Sequence, residues 1–135
     1  MSLYLYCDGN EINTKVIGDI EFCIGDVFVV TKGFDGSLFL FSGNAYEQFE
    51  AMLATVPKKK PDKRMLIRFF IASATDISID EMNHLNIPQS LLKFAHIEEA
   101  AVIEGNGDFA QIWSEKDWRE GLSMKDMEIL KKRLK

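Results

Sequence analysis

An internal repeat constrains the fold of this 135-residue chain more than any other feature. Asp80 aligns with Asp8, and Gly105 aligns with Gly33, at the same offset of 72 residues and without a gap. Most other matches at this offset are chemical similarities, such as Trp118 on Tyr46. Strands, turns and helix starts nevertheless align together. We therefore predict two copies of one small unit.

Each copy predicts the same order of secondary structure. A short strand with alternating apolar residues comes first, at residues 3–7 and 77–79. A polar turn follows, and then a short helix that is clearest in the second copy, where Pro88 suits the first helical position. A β-hairpin and a second helix complete the unit. The predicted hairpins have strands at 27–30 and 38–41 around a turn at 33–36, and at 100–103 and 110–113 around a turn at 105–108.

Capping motifs predict where the helix after each hairpin begins. Asn44 precedes Glu47 by three residues, and Ser114 precedes Asp117 by three, which is the spacing of a capping box. Each hairpin is therefore expected to lead directly into a helix.

Between the two copies, residues 57–62 (Pro-Lys-Lys-Lys-Pro-Asp) are rich in lysine and proline and lack apolar side chains other than proline. This composition predicts an exposed linker. The tail from residue 123 has one apolar stripe and predicts an amphipathic helix. We therefore predict an α+β fold in four segments. They are a first repeat at 1–56, a basic linker and helix at 57–72, a second repeat at 73–121 and a C-terminal helix at 122–135.

The composition fits a globular protein and narrows the possible functions. Hydrophobic residues make up 47% of the chain, and no apolar run approaches the roughly 20 residues of a membrane span. The first residues lack the basic and apolar regions of a secretory signal, so we expect a cytoplasmic protein without a membrane partner. Cys7 and Cys23 do not have metal-ligand spacing, and the two histidines have no recognisable catalytic partner. We expect no enzyme activity, no cofactor and no small-molecule substrate.

Four separated motifs, in order, resemble the MraZ family. They lie at residues 25–41, 68–75, 80–88 and 111–118, so the resemblance covers residues 25–120. It implies two swapped-hairpin units of the AbrB-like type joined in one chain. It also implies ring-like homo-oligomers that bind repeated sites on double-stranded DNA, upstream of a cell-division and cell-wall operon. The resemblance therefore implies that the protein is cytoplasmic and associated with the nucleoid.

The sequence departs from this family at the motif Asp-x-x-Gly-Arg, which the resemblance makes the DNA-contacting element of each unit. In the second unit the motif reads Asp80-Glu-Met-Asn83-His84, followed by Asn-Ile-Pro88. Asparagine can replace glycine where φ is positive, whereas histidine lacks the permanent charge and the bidentate fork of arginine. In the first unit Asp8 is followed by Gly-Asn-Glu-Ile12, without the arginine or the proline. The sequence thus predicts that the fold is retained and that the DNA-contacting element is weakened.

The candidate DNA-binding residues form two groups, each with a structural alternative. The first group belongs to the second-unit motif, and its alternative is a turn whose side chains cap their own backbone. The second group is a basic cluster able to neutralise phosphates, and its alternative is a solvated linker. The full set is Asp80, Asn83, His84, Lys58, Lys59, Lys60 and Arg64.

Two functions remain open at this point. One is a sequence-specific DNA-binding regulator, in which an oligomer combines many weak contacts. The other is a divergent family member that keeps the oligomer and serves as an interaction or structural protein, for example by joining rings of an intact relative. The net charge of −5 and the missing arginines favour the second, because DNA-binding domains are usually basic. The retained register from Asp80 to Pro88 favours the first.

Overall fold

The computed structural model describes residues 3–19, 26–33, 36–55, 65, 68, 70–106 and 109–120. Residues 65, 68, 70–73 and 115–120 are helical, in addition to the named elements. This mixture of strands and helices confirms the predicted α+β class. In chain order the elements are β1 (Tyr4–Cys7), β2 (Asn10–Asp19), β3 (Val27–Lys32), β4 (Leu38–Ser42), α1 (Gly43–Thr55), β5 (Thr75–Ser78), β6 (His84–Asn86), α2 (Gln89–Phe94), β7 (Ala100–Asn106) and β8 (Phe109–Ser114).

The eight described strands form one sheet in the order β5-β3-β4-β8-β7-β2-β1-β6. β1 pairs with β6 and β2 pairs with β7 in parallel, whereas the other pairings are antiparallel. An isolated bridge between Ile79 and Leu85 joins the two ends of this order, because Ile79 directly follows β5 and Leu85 lies in β6. The sheet therefore curls until its edges meet.

The strands of the two predicted repeats are interleaved in this sheet. β1–β4 come from the first repeat and β5–β8 from the second. Four of the pairings (β1 with β6, β2 with β7, β3 with β5 and β4 with β8) join one repeat to the other. This arrangement agrees with the swapped pairing that the resemblance implies, and neither repeat completes the sheet alone.

Apolar side chains from both repeats fill the interior of the curled sheet. Leu5, Leu40 and Ile112 are completely buried there, and α2 adds Leu91 and Leu92 to the same cluster. Burial of each such side chain contributes about 1.5–3 kcal/mol to folding. The core consequently depends on both repeats.

A second apolar cluster fixes helices to the other face of the sheet. Phe39 and Phe41 of β4 alternate with the core residues of that strand and pack against Phe70 and Phe49. The rings of Phe39 and Phe70 stack with centroids 5.9 Å apart, and those of Phe41 and Phe49 with centroids 5.0 Å apart. α1 and the helical residues 70–73 are thereby held against β4.

Both predicted hairpins are confirmed. β3 pairs with β4 and β7 pairs with β8, each in antiparallel register. The backbone N–H of Gly33 donates to the carbonyl of Ser37 at 2.7 Å and closes the first turn. The predicted linker at 57–62 and the C-terminal helix from residue 123 lie outside the described residues. In the part of the chain that the structure describes, no helix is both long and apolar enough to cross a membrane.

The helix caps follow the repeat, with one correction. Ser114 Oγ accepts a hydrogen bond from the N–H of Asp117 at 3.0 Å, as predicted. The prediction of Asn44 as the cap of α1 was wrong, because Ser42 Oγ accepts the N–H of Ala45 at 3.2 Å. α1 begins at Gly43, directly after β4, so the residue that ends the strand is the one placed to cap the helix.

The first repeat differs from the predicted order after its polar turn. Asp8 and Gly9 both have positive φ (49° and 85°), which is typical of a two-residue hairpin turn. The chain therefore reverses onto β1, and β2 then continues beside β7 as a ten-residue strand where the repeat predicts the start of a helix. In the second repeat the helix forms as predicted, although Pro88 is its N-cap and so stands one position earlier than expected.

Candidate nucleic-acid interface

The loop between β5 and β6 contains the candidate residues Asp80 and Asn83, and the candidate His84 begins β6. Asp80 Oδ1 accepts backbone hydrogen bonds from Met82 at 2.8 Å and from His84 at 2.9 Å. Asn83 has a φ of 60°, which is the left-handed conformation that glycine adopts at low cost. Asn83 thus takes the positive φ that the sequence predicted for the glycine position, while Asp80 caps its own backbone.

Hydrogen bonding keeps the Asp80 carboxylate ionised. The backbone N–H of His84, and after it that of Met82, hold the pKa of Asp80 below its ordinary value, although partial desolvation acts in the opposite direction. The loop therefore carries a fixed negative charge at neutral pH, and this charge also maintains the turn.

The His84 side chain lies among residues of the first repeat and Asp80 of its own repeat. Its Nε2 lies 2.9 Å from Oε2 of Glu11, and its Nδ1 lies 3.8 Å from Oδ2 of Asp80. The imidazole stacks on the ring of Tyr6 (centroids 4.8 Å apart, planes within 6°) and meets the ring of Tyr4 edge-on. Only 13% of the side chain is exposed. At the position where the family has arginine, this chain therefore has a histidine held between two carboxylates.

Sequence reasoning missed Glu11 and Tyr6 as part of this site. Tyr4 pairs with His84 across the parallel strands β1 and β6, and Glu11 pairs with Tyr6 across β1 and β2. Alternation along β1 indicated that Tyr4 and Tyr6 share a face. The contact with His84 depends on a parallel pairing between the repeats, for which no local signal exists.

The first repeat provides no equivalent loop. The turn at Asp8 and Gly9 contains two residues, and Cys7 pairs directly with Asn10 across it. Ile12, which aligns with His84, is 3% exposed and belongs to the core. Burial, together with the neighbouring Asp8, raises the pKa of the Cys7 thiol. This turn consequently lacks a basic side chain, and its cysteine stays protonated at neutral pH.

The basic candidates Lys58, Lys59, Lys60 and Arg64 lie outside the described residues, so their position relative to the loop is a matter of prediction. Among the described side chains, Lys93 of α2 lines a groove of about 290 Å³ beside the first-repeat turn, together with Asp8 and Glu98. Charges of both signs thus meet in this groove. No group of three or more His, Cys, Asp or Glu side chains in the described ranges is arranged to hold a metal ion.

Comparison with known proteins identifies the family. A family model described as "MraZ protein, putative antitoxin-like" matches residues 70–133. A relative from Ligilactobacillus salivarius is 39% identical over 95 residues, which is 70% of this chain and 66% of the relative. A relative from Thermoanaerobacter pseudethanolicus is 39% identical over 97 residues (72% and 68%), and one from Caldanaerobacter subterraneus is 36% identical over 97 residues (72% and 68%).

All three relatives are named "Transcriptional regulator MraZ". The matched region spans about two thirds of each relative's length. Their name denotes a regulator of transcription and not an enzyme, in agreement with the prediction from the sequence. The chain belongs to the MraZ family of transcriptional regulators.

Proposed function

We propose that this protein is a sequence-specific DNA-binding regulator that acts as a ring-like homo-oligomer. The observation that carries the proposal is the shape of the second-repeat loop. Asp80 holds the backbone of Met82 and His84, and Asn83 adopts the left-handed conformation in place of glycine. This is the backbone frame that the resemblance assigns to the DNA-contacting motif, and the same bonds also satisfy the alternative of a turn that caps its own backbone.

His84 is the proposed point of contact with DNA. An imidazole is charged only when protonated, so one loop provides a weaker contact than the arginine of the family motif. Repetition around an oligomer compensates, because each further contact forms at high effective concentration. Asp80 and Asn83 position His84 in this proposal, and Lys58, Lys59, Lys60 and Arg64 neutralise phosphates.

The resemblance supports a target upstream of a cell-division and cell-wall operon, and so a cytoplasmic, nucleoid-associated protein. The resemblance also supports association of further copies into a ring, and most soluble homo-oligomers close with cyclic symmetry. Light scattering at micromolar concentration should therefore give a mass several times the 15.4 kDa of one chain. A monomer mass would contradict the proposed ring.

A second candidate function is that of an interaction protein without DNA binding. The specific observation in its favour is the ion pair of His84 with Glu11, which opposes contact with phosphates. The chain is also acidic, with a net charge of −5. In this case the protein would assemble with an intact relative and alter its rings.

Titration of labelled DNA from upstream of the protein's own gene separates the two functions. A scrambled duplex of the same length and composition is the control, and anisotropy is recorded at several salt concentrations. The DNA-binding function predicts preference for the natural sequence and an affinity that falls as salt rises. Absence of binding at low salt, with formation of mixed assemblies with an intact relative, would establish the second function instead.

A further inference from the structure

We infer that Glu11 opposes contact between His84 and DNA: its carboxylate pairs with the His84 imidazole across the two repeats and competes with DNA phosphates for that ring. The contact between Glu11 and His84 does not depend on the proposed function, whereas its effect on DNA binding rests on the proposed function. Neither the family motif nor the repeat assigns a role to Glu11.

The strand order places the two side chains together. β6, β1 and β2 are neighbours, with Tyr4 opposite His84 and Tyr6 opposite Glu11. His84, Tyr6 and Glu11 therefore share one face of the sheet, while Leu5 between the two tyrosines is buried on the other. The stacked Tyr6 ring fixes the plane of the imidazole and directs Nε2 towards Glu11.

Glu11 is the principal anionic partner of His84. The distance between Nε2 and Glu11 Oε2 is 2.9 Å, whereas Nδ1 lies 3.8 Å from Asp80 Oδ2. The other oxygen of Asp80 is already engaged by two backbone N–H groups. Among the described residues, the titratable groups that contact His84 are these two carboxylates and the phenols of Tyr4 and Tyr6.

Exposure makes this ion pair replaceable. The Glu11 side chain is 53% exposed and that of His84 is 13% exposed, so water screens the carboxylate, and a phosphate reaches the imidazole only where Glu11 moves aside. A DNA phosphate that approaches His84 must displace a weakly held carboxylate. Glu11 consequently lowers the affinity for DNA.

A double-mutant cycle without DNA tests the pairing. Glu11→Gln, His84→Gln and the double variant are unfolded by urea at one fixed protein concentration, at pH 5.5 and pH 8.5. We expect a coupling of about two- to fivefold in the unfolding equilibrium constant at pH 5.5, and a smaller one at pH 8.5, where histidine is neutral. Equal coupling at both pH values, or none at either, would overturn the ion pair.

Glu81→Gln is the matched control, because Glu81 is an exposed carboxylate of the same loop. Its cycle with His84→Gln should show no coupling. In DNA titrations at pH 5.5, Glu11→Gln should bind about two- to fivefold more tightly than Glu81→Gln. Equal affinities of the two variants for DNA would contradict the inference that Glu11 opposes contact between His84 and DNA. If no form of the protein bound DNA, the proposed function would fail, and the cycle would still decide the pairing.

Discussion

Glu11 and His84 are 73 residues apart in the chain, yet Glu11 Oε2 lies 2.9 Å from Nε2 of His84. The contact exists because β1 of the first repeat lies between β6 and β2 and carries Tyr6, on which the imidazole stacks. The loop of the second repeat is therefore completed by the first repeat. A change in either repeat is expected to alter the same site.

Restoring the family residue at position 84 should strengthen DNA binding. Arginine stays charged throughout the accessible pH range, whereas histidine carries a charge only when it is protonated. A charge-assisted contact contributes roughly 1.5–3 kcal/mol, so His84→Arg should gain about tenfold in affinity at pH 7.5. The wild type should bind more tightly as pH falls, and His84→Arg should lose most of this dependence. His84→Ala is the control without charge, and equal affinity of all three proteins at pH 5.5 and 7.5 would reduce His84 to a turn residue.

The Asp80 carboxylate should stabilise the loop in a pH-dependent way. Its folded-state pKa is lowered by backbone N–H donors, so the stabilisation is complete above the ordinary value of 3.8 and is lost as pH falls through the lowered value. Asp80→Ala removes both acceptor bonds, and the amides of Met82 and His84 should exchange with solvent several-fold faster. Asp80→Asn keeps an acceptor oxygen without the charge, so it should retain most of the protection and lose the acid dependence. Unchanged exchange in Asp80→Ala would contradict this account of the turn.

Gly18, the one glycine of β2, should tolerate substitution less well than Gly9 in the preceding turn. It has a φ of 80°, and an added Cβ would lie 2.2 Å from the carbonyl oxygen of Gly105 on β7. Gly18→Ala should therefore lower the free energy of unfolding by about 2–4 kcal/mol, through backbone strain and displacement of the paired strand. Gly9→Ala is the matched control, because Gly9 has a φ of 85° with no atom within 4 Å of an added Cβ. Gly9→Ala should lower the free energy of unfolding by only about 1–2 kcal/mol. If urea denaturation gave equal losses for the two variants, a steric clash at Gly18 would be excluded.

The basic cluster at 58–60 is expected to act on all DNA sequences alike. Replacing Lys58, Lys59 and Lys60 with alanine should weaken binding to natural and scrambled duplexes equally. The slope of log affinity against log salt should flatten by roughly one unit for each lost phosphate contact. Arginine at the same three positions keeps the charge and should preserve the slope. An unchanged slope in the alanine variant would assign these lysines to a solvated linker.

Local sequence signals predicted much of the fold. Both hairpins formed at their predicted positions, because alternation and turn residues act over a few residues. Ser114 caps the helix after β8, and Asn83 takes positive φ, for equally local reasons. The error at Asn44 arose because α1 begins two residues earlier than the capping-box spacing suggested, so that Ser42 is the cap.

The pairing of strands that are distant in the chain could not be predicted from local sequence patterns. The repeat predicted a helix after the first turn, but β2 extends beside β7 because Asp8 and Gly9 reverse the chain directly onto β1. The parallel pairing of β1 with β6 brings Glu11 to His84, and no spacing in the sequence indicates it. Glu11 and Tyr6 could therefore not be assigned to the candidate site from the sequence, because they reach His84 through contacts between residues distant in the chain.

Hydrogen–deuterium exchange with mass spectrometry, with and without DNA from upstream of the protein's own gene, tests most directly which repeat contacts DNA. Peptides that cover residues 80–84 should gain protection when DNA binds, and peptides that cover the first-repeat turn at Asp8 and Gly9 should not. Scrambled DNA at the same concentration should give weaker protection at 80–84. Protection confined to the first-repeat turn, or none at 80–84 under conditions where DNA is bound, would contradict the assignment of this loop as the DNA contact.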